Sequence, residues 1–337
     1  MAYYWYNKKV VNTSFLNPLQ EDSSLNRSER VKYSSETLFF IGRDPMTEIL
    51  VVIGQVAALL FVICQMLAMG LVLTVPQIIE PLKNTRLVIL ALVGNFILVP
   101  LVALLLVSIL PLSPGYSIGL ILIGCAAGAP FLPKLTQIAK GDIAFSVGLM
   151  VLLMVVTLVS LPLVLPLLIT GITIHPLDIA KSLLVLMLIP LGIALLLRAR
   201  HEKIALRLAP YFSKVTTIAL IILMLSVFIA SIPELGGEIG TFGSLAALIF
   251  VLIAFGIGYV LGGPEGEIRK VLGFGTALRN FSAAIAVAAL NFTDPDVMFM
   301  VLDVIVISLL VLILIGRVLG KRAGQGTTHT PGAGSSP

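Results

Sequence analysis

Charge is scarce in this sequence. Asp, Glu, Lys and Arg make up 12% of its 337 residues, about half the fraction of a soluble globular domain. That leaves too little polar surface to clothe a fold in water. Histidine is as rare: His175, His201 and His329 all fall in loops or the tail. The two cysteines, Cys64 and Cys125, lie in separate apolar segments and read as small core residues rather than a disulfide. No His, Cys and carboxylate grouping has zinc spacing, so no metal site and no cofactor is expected. Inside the apolar segments the carboxylates reduce to one, Asp303. An intramembrane enzyme would need paired carboxylates, a nucleophile beside a base or a metal cluster. The chain is therefore not read as an enzyme, and that class stands only as an alternative. Period-2 alternation is lacking too, which excludes the strands of a membrane barrel.

What fills the sequence is apolar residues, 58% of the total, with a mean hydropathy of +1.09. Runs of 18 or more recur, the length that crosses roughly 30 Å of hydrocarbon. Backbone groups in lipid must be satisfied internally, so the chain reads as an all-α polytopic membrane protein. Nine transmembrane helices are expected, at approximately 49–75, 86–110, 115–137, 142–169, 177–198, 213–232, 242–262, 269–290 and 297–319. Pro76, Pro81, Pro111, Pro114, His175-Pro176, Pro233 and Gly262-Gly263-Pro264 punctuate them. The membrane domain covers 46–322, with one repeat at about 49–169 and a second at about 177–319. Residues 1–45 are polar, without a signal-peptide apolar core. They read as a disordered extension or a misassigned start ahead of Met46. The Gly/Ser/Thr/Pro-rich tail, 323–337, is expected to be disordered.

The few charges are placed unevenly. One set of loops and the C-terminal end carry Lys83, Arg86, Lys140, Arg198, Arg200, Lys203, Arg207, Lys214, Arg269, Lys270, Arg317, Lys321 and Arg322. The opposite loops carry only Lys181, beside Asp178, Glu234, Glu238, Asp294 and Asp296. The positive-inside rule then puts the C-terminus in the cytoplasm and, through nine spans, the N-terminus outside a cell membrane. The net charge of +5 follows from this topology and carries no implication of nucleic acid. The expected partners are the lipid bilayer and a small solute, and the sequence leaves the oligomeric state open.

Two stretches resemble each other. "GCAAGAPFLPKL" (124–135) precedes "DIAFSVGLMVL" (142–152), and "GFGTALRNFSAA" (273–284) precedes "DVMFMVLDVIV" (296–306). The third and eighth spans run in opposite directions, so the pair reads as an inverted repeat, a common construction of secondary transporters. In the third span Pro130 and Pro133 must break the helix. In the eighth, Gly273 and Gly275 precede Thr276, Arg279, Asn280 and Ser282. Irregular backbone at membrane depth belongs in a protein interior or beside a water-filled cavity, and two broken helices in corresponding places point to a transport site. Arg279 is the residue most in need of explanation, since an arginine at mid-helix costs at least ~2.5 kcal/mol on insertion scales. It needs an internal partner or a ligand, and Asp303 is the natural ion-pair partner, or else a proton site. Lys134 either snorkels to the cytoplasmic interface or touches a ligand. Asn95, Ser146, Thr157 and Asn291 are further polar positions, each open to a helix–helix hydrogen bond instead.

The stretches "GCAAGAPFLPKLTQIAKGDIAFSVGLMV" (124–151) and "GFGTALRNFSAAIAVAALNF" (273–292) resemble the bile acid:sodium symporter family, with "AKGDIAFSV" nearest to its pattern. The resemblance covers about 49–319. It implies a fold of ten helices in two inverted repeats, here lacking the first helix. A core domain would hold two crossing broken helices, with a panel domain beside it. It also implies sodium ligands that this chain largely lacks. Pro130-Phe131-Leu132-Pro133 stands where the family carries Thr-Ala-Ser-Asn, Gly275 takes a glutamate position and Arg279 a glutamine position. Asn280 is retained, Ser146 matches a sodium-site serine, and Asn95 stands where a neighbouring amide approaches the second sodium. The expected function is secondary transport of an organic anion, with Arg279, Asn280, Thr276, Phe131, Asn95, Ser146 and Lys134 as substrate-site residues. The guanidinium would replace a sodium ion. Sodium through rearranged ligands, a proton on Asp303, and uniport or exchange remain open for coupling. An efflux carrier of the related auxin or arsenite type is the alternative.

Overall fold

The computed structural model describes residues 45–74, 76, 84–169, 175–231 and 241–325. The chain divides into two units, residues 1–49 and 50–337. Of the first, only the opening turn of a helix is described, and every other described residue belongs to the second. The expected disordered extension, the loop with Glu234 and Glu238, and most of the expected tail lie outside the described residues.

Every described element is helical. The helices are α1 (Pro45–Gly70), α2 (Thr85–Ile109), α3 (Pro114–Cys125), α4 (Leu132–Ile138), α5 (Ile143–Leu168), α6 (Pro176–Arg200), α7 (Glu202–Ser231), α8 (Thr241–Leu261), α9 (Gly266–Ala277), α10 (Phe281–Asn291) and α11 (Pro295–Gln325). Among the described residues, eight helical segments are long and apolar enough to cross a bilayer, one of them being α9 and α10 taken together. The short apolar α3 with α4 makes the ninth pass, as the hydropathy pattern anticipates. The helix of the sixth pass is longer than the expected span. It begins at Glu202, ahead of 213, because residues rich in Lys and Arg continue the helix instead of forming a loop.

Local chemistry accounts for the element ends that matter here. Ser113 caps α3 by accepting from Tyr116 N, followed at once by Pro114, whose missing N–H costs nothing in a first turn. Asp142 caps α5 by accepting from Phe145 N at 2.9 Å, which gives the repeated Asp-x-x-Phe pattern a physical role in the first repeat. In the second repeat the equivalent Asp296 instead accepts from Ser113 Oγ at 3.0 Å and ties α11 to α3. Gly119 lets those helices approach closely, since a Cβ there would stand 2.7 Å from Met300 Cβ.

One large apolar core draws on α2, α3, α5, α8, α9, α10 and α11. Helix α8 packs along α9, and α11 against α3 and α8. A second, small cluster joins Leu71, Ala194, Ala205 and Ala209, where the end of α1 meets α6 and α7. The outer faces of the long helices carry exposed Ile, Leu and Val, such as Leu163, Leu167, Val260 and Leu310. That is the expected surface of helices immersed in lipid. By contrast, the α9–α10 segment is buried throughout its apolar window. The broken pass is thus the interior element around which the rest is arranged.

Candidate functional site

The two breaks meet. After Cys125 the chain runs extended through Ala126, turns, and restarts at Leu132 with Pro133 in the first helical turn. The prolines act as the sequence indicates. Gly128 takes φ +86°, and a side chain there would collide with the α5 backbone at Met154. Only glycine fits both that conformation and that approach. Thr157 of α5 pins the same loop: its Oγ1 donates to Ala127 O and accepts from Ala127 N, both at 2.9 Å. The second break lies at Leu278–Asn280. Gly273 and Gly275, which precede it, lie inside α9. They serve close packing: a Cβ on Gly275 would meet Leu149 and Leu132 at 3.1 and 3.2 Å. Asn280 N donates to Ala126 O at 2.8 Å, which fastens one break to the other.

Arg279 sits at this junction, fully buried. Its Nε donates to Ile123 O at 3.2 Å. One terminal nitrogen donates to Asn95 Oδ1 at 2.7 Å and to Thr276 O at 3.0 Å. The other donates to Gly124 O at 2.7 Å and Asn95 O at 3.4 Å. A guanidinium has five N–H donors, and all five are satisfied. The expected ion pair with Asp303 is absent. Among the described residues the ion pairs are Lys181–Asp178 and Arg198–Glu202, while Asp303 Oδ2 accepts from Ser244 Oγ at 2.9 Å. Asp303 lies on a face of α11 turned to α8, away from the guanidinium.

Neutral oxygens suffice for a buried cation because of where they come from. Ile123 O and Gly124 O belong to the last turn of α3, and Thr276 O to the last turn of α9. A helix C-terminus carries roughly half a negative charge, so two such ends together offset about one positive charge. The third source, Asn95, lies in a single π turn at Gly94–Leu98 of α2. Its Nδ2 donates to Ala91 O at 3.0 Å and Thr276 Oγ1 at 3.4 Å, which holds its Oδ1 toward the guanidinium. A Cβ on Gly94 would stand 3.9 Å from the Thr276 side chain, so the π turn lies directly against α9.

On the far side of the break the polarity reverses. Asn280 caps α10, its Oδ1 accepting from Ala283 N at 3.1 Å. Its Nδ2 and the Ser282 Oγ have no partner among the described residues although both are buried. An orphaned buried donor of this kind costs about 1–3 kcal/mol, and such atoms cluster where a ligand or water completes them. The first turn of α10 also presents the positive end of its dipole.

The structure therefore brings Arg279, Asn280, Thr276 and Asn95 together. It does not join the other expected residues to them. Phe131 stands 38% exposed at the start of α4. Lys134 is exposed on α4, its Nζ donating to Gln137 Oε1 at 3.2 Å. Ser146 is buried in the first turn of α5 and donates to Ile143 O at 2.7 Å. Asn291 donates to Val287 O of its own helix. The carbonyls of Ile123, Gly124 and Ala126 were not foreseen, and no side-chain pattern marks a backbone oxygen. Their one signal was the proline pair that ends α3.

A family model described as the Sodium Bile acid symporter family matches residues 58–237, just over half of the 337-residue chain. It takes in Asn95 and the α3 break, and stops short of α9 and α10. No curated protein matches the chain.

Proposed function

The chain belongs to the sodium bile acid symporter family, and from that premise we propose that this membrane transporter carries a small organic anion without sodium, the Arg279 guanidinium standing in for a coupling cation. The observation that carries this reading is the oxygen cage of Ile123, Gly124, Thr276 and Asn95, filled by a cation that belongs to the chain. Half-helix C-terminal ends and unwound carbonyls are the groups with which secondary transporters coordinate sodium. Arginine keeps its proton under any physiological condition, so the cage is charged in every state of the carrier. A second, mobile cation at that place would meet a fixed like charge.

Because its N–H groups are all taken, Arg279 acts on a substrate through its field and not through a direct bond. The substrate's negative group is received at the start of α10, where Asn280 Nδ2 and Ser282 Oγ lack partners and the helix dipole favours an anion. Transport then runs down the anion's own gradient or by exchange. The membrane is the plasma membrane, with the N-terminus outside, as the distribution of Lys and Arg between loops supports.

Proteoliposomes given labelled organic acids, bile acids among them, and the matching neutral amides test this reading. Uptake restricted to acids is expected, with Ser282→Ala and Asn280→Leu each raising KM. Equal uptake of acids and amides would refute anion transport.

A further inference from the structure

The α6–α7 corner holds a concentration of charge that the transport site does not use. Residues 198–214 carry Arg198, Arg200, Lys203, Arg207 and Lys214 against a single carboxylate, Glu202. At 100° per residue, Lys203, Arg207 and Lys214 fall within about 40° of one face of α7, and all three are exposed. Apolar groups are exposed among them: Ile204 at 51%, Leu206 at 44% and Tyr211 at 64%. A helix end standing in water would not mix such residues with cations. One lying in the headgroup layer would, since the stems and rings sit among acyl chains and the charges reach outward.

Length supports that placement. Helix α7 has 30 residues, or about 45 Å, against roughly 30 Å of hydrocarbon. About ten residues must therefore lie outside the core, and the cations begin the helix. The corner is also held in shape: Leu71, Ala194, Ala205 and Ala209 pack α1, α6 and α7 together beneath it. Arg198 has only 12% of its side chain exposed and pairs with Glu202 Oε1 at 2.8 Å. Its buried Nε–H has no acceptor among the described residues.

We propose that this corner binds the phosphate of an anionic phospholipid, with Arg198, Lys203 and Arg207 around the headgroup and Lys214 and Tyr211 against the glycerol and upper chains. The charge excess calls for an anion. The interleaved apolar residues call for one with acyl chains, which selects a lipid over free phosphate.

The test uses the full chain in mild detergent, melted with added phosphatidylglycerol, with phosphatidylcholine of the same chains, or with inorganic phosphate. Phosphatidylglycerol alone should raise the melting temperature. Each cation near an anionic surface is worth about fivefold in binding, so Lys203→Gln, Arg207→Gln and Lys214→Gln together should weaken lipid binding on the order of a hundredfold. The matched control replaces Arg317, Lys321 and Arg322 by Gln and should keep the response. Native mass spectrometry of the lipid retained by each variant reads the same effect even if the corner variant melts early. An unchanged response in the corner variant, equal loss in the control, or a shift given by phosphatidylcholine or inorganic phosphate would each overturn the proposal.

Discussion

Replacing Arg279 by Gln separates a cation that fills an oxygen cage from one that pairs with a carboxylate. The native guanidinium makes five hydrogen bonds, all to neutral oxygens. Glutamine supplies two amide N–H groups, so about three acceptor contacts are lost. Ile123 O keeps another partner, accepting from Ala126 N at 3.2 Å. At about 1 kcal/mol for each lost contact, the whole change costs about 3 kcal/mol. For a chain of this size that lowers the melting temperature by roughly 4 °C. With two of the five oxygens taken by glutamine, the cage offers about three and the ends of two helices to a free cation. Sodium at ten times its dissociation constant restores roughly 1.4 kcal/mol. The variant should therefore melt higher in sodium chloride than in choline chloride, while the unmutated protein melts alike in both. Asp303→Asn removes a charge, keeps an amide oxygen that can accept from Ser244, and changes nothing at the cage, so its effect should add to that of Arg279→Gln within about 0.5 kcal/mol. Recovery of more than 1 kcal/mol in the double variant would mean that the two charges interact, and would refute this reasoning.

Other consequences are as direct. Gly128→Ala places a Cβ against the Met154 backbone at φ +86° and should cost more than about 3 kcal/mol or prevent insertion, read as loss of a monodisperse peak in size-exclusion chromatography. Thr157→Val keeps the shape but removes both bonds to Ala127. It should destabilise by about 2–3 kcal/mol and slow uptake, while Asn291→Leu, which breaks only a bond within its own helix, should change melting by less than half as much. A cysteine at Lys203 should react with an impermeant thiol reagent only from the cytoplasmic side, and one at His175 only from outside. The reverse pattern would invert the topology.

Hydropathy alone located the passes, because roughly 30 Å of hydrocarbon sets a minimum apolar length for each crossing. The α3 break was equally legible, since Pro130 and Pro133 each remove a backbone donor and clash with the preceding turn, Pro133 being accommodated in the first turn of α4. The α9–α10 break was legible only as a stretch, the polar cluster from Thr276 to Ser282 that follows Gly273 and Gly275, for an instructive reason. Its own residues, Leu278, Arg279 and Asn280, include neither Gly nor Pro, and it is held open by tertiary bonds from Asn280 N to Ala126 O and from Arg279 to the α3 carbonyls. Helix-breaking of that kind leaves no local mark. The partner of Arg279 was mistaken likewise. A search by charge finds Asp303, whereas the stabilising groups are backbone oxygens present at every position and special only at helix ends. Asn95 was singled out for its amide, but the π turn that presents it has no signature in "GNFIL".

The central claim is that a tethered cation has taken the place of sodium. Initial uptake of one transported anion into proteoliposomes, with sodium or choline as the sole external cation and the membrane potential clamped at zero, tests it most directly. The account predicts equal rates in the two salts for the unmutated protein. A rate that vanishes in choline and rises with the sodium gradient would contradict it.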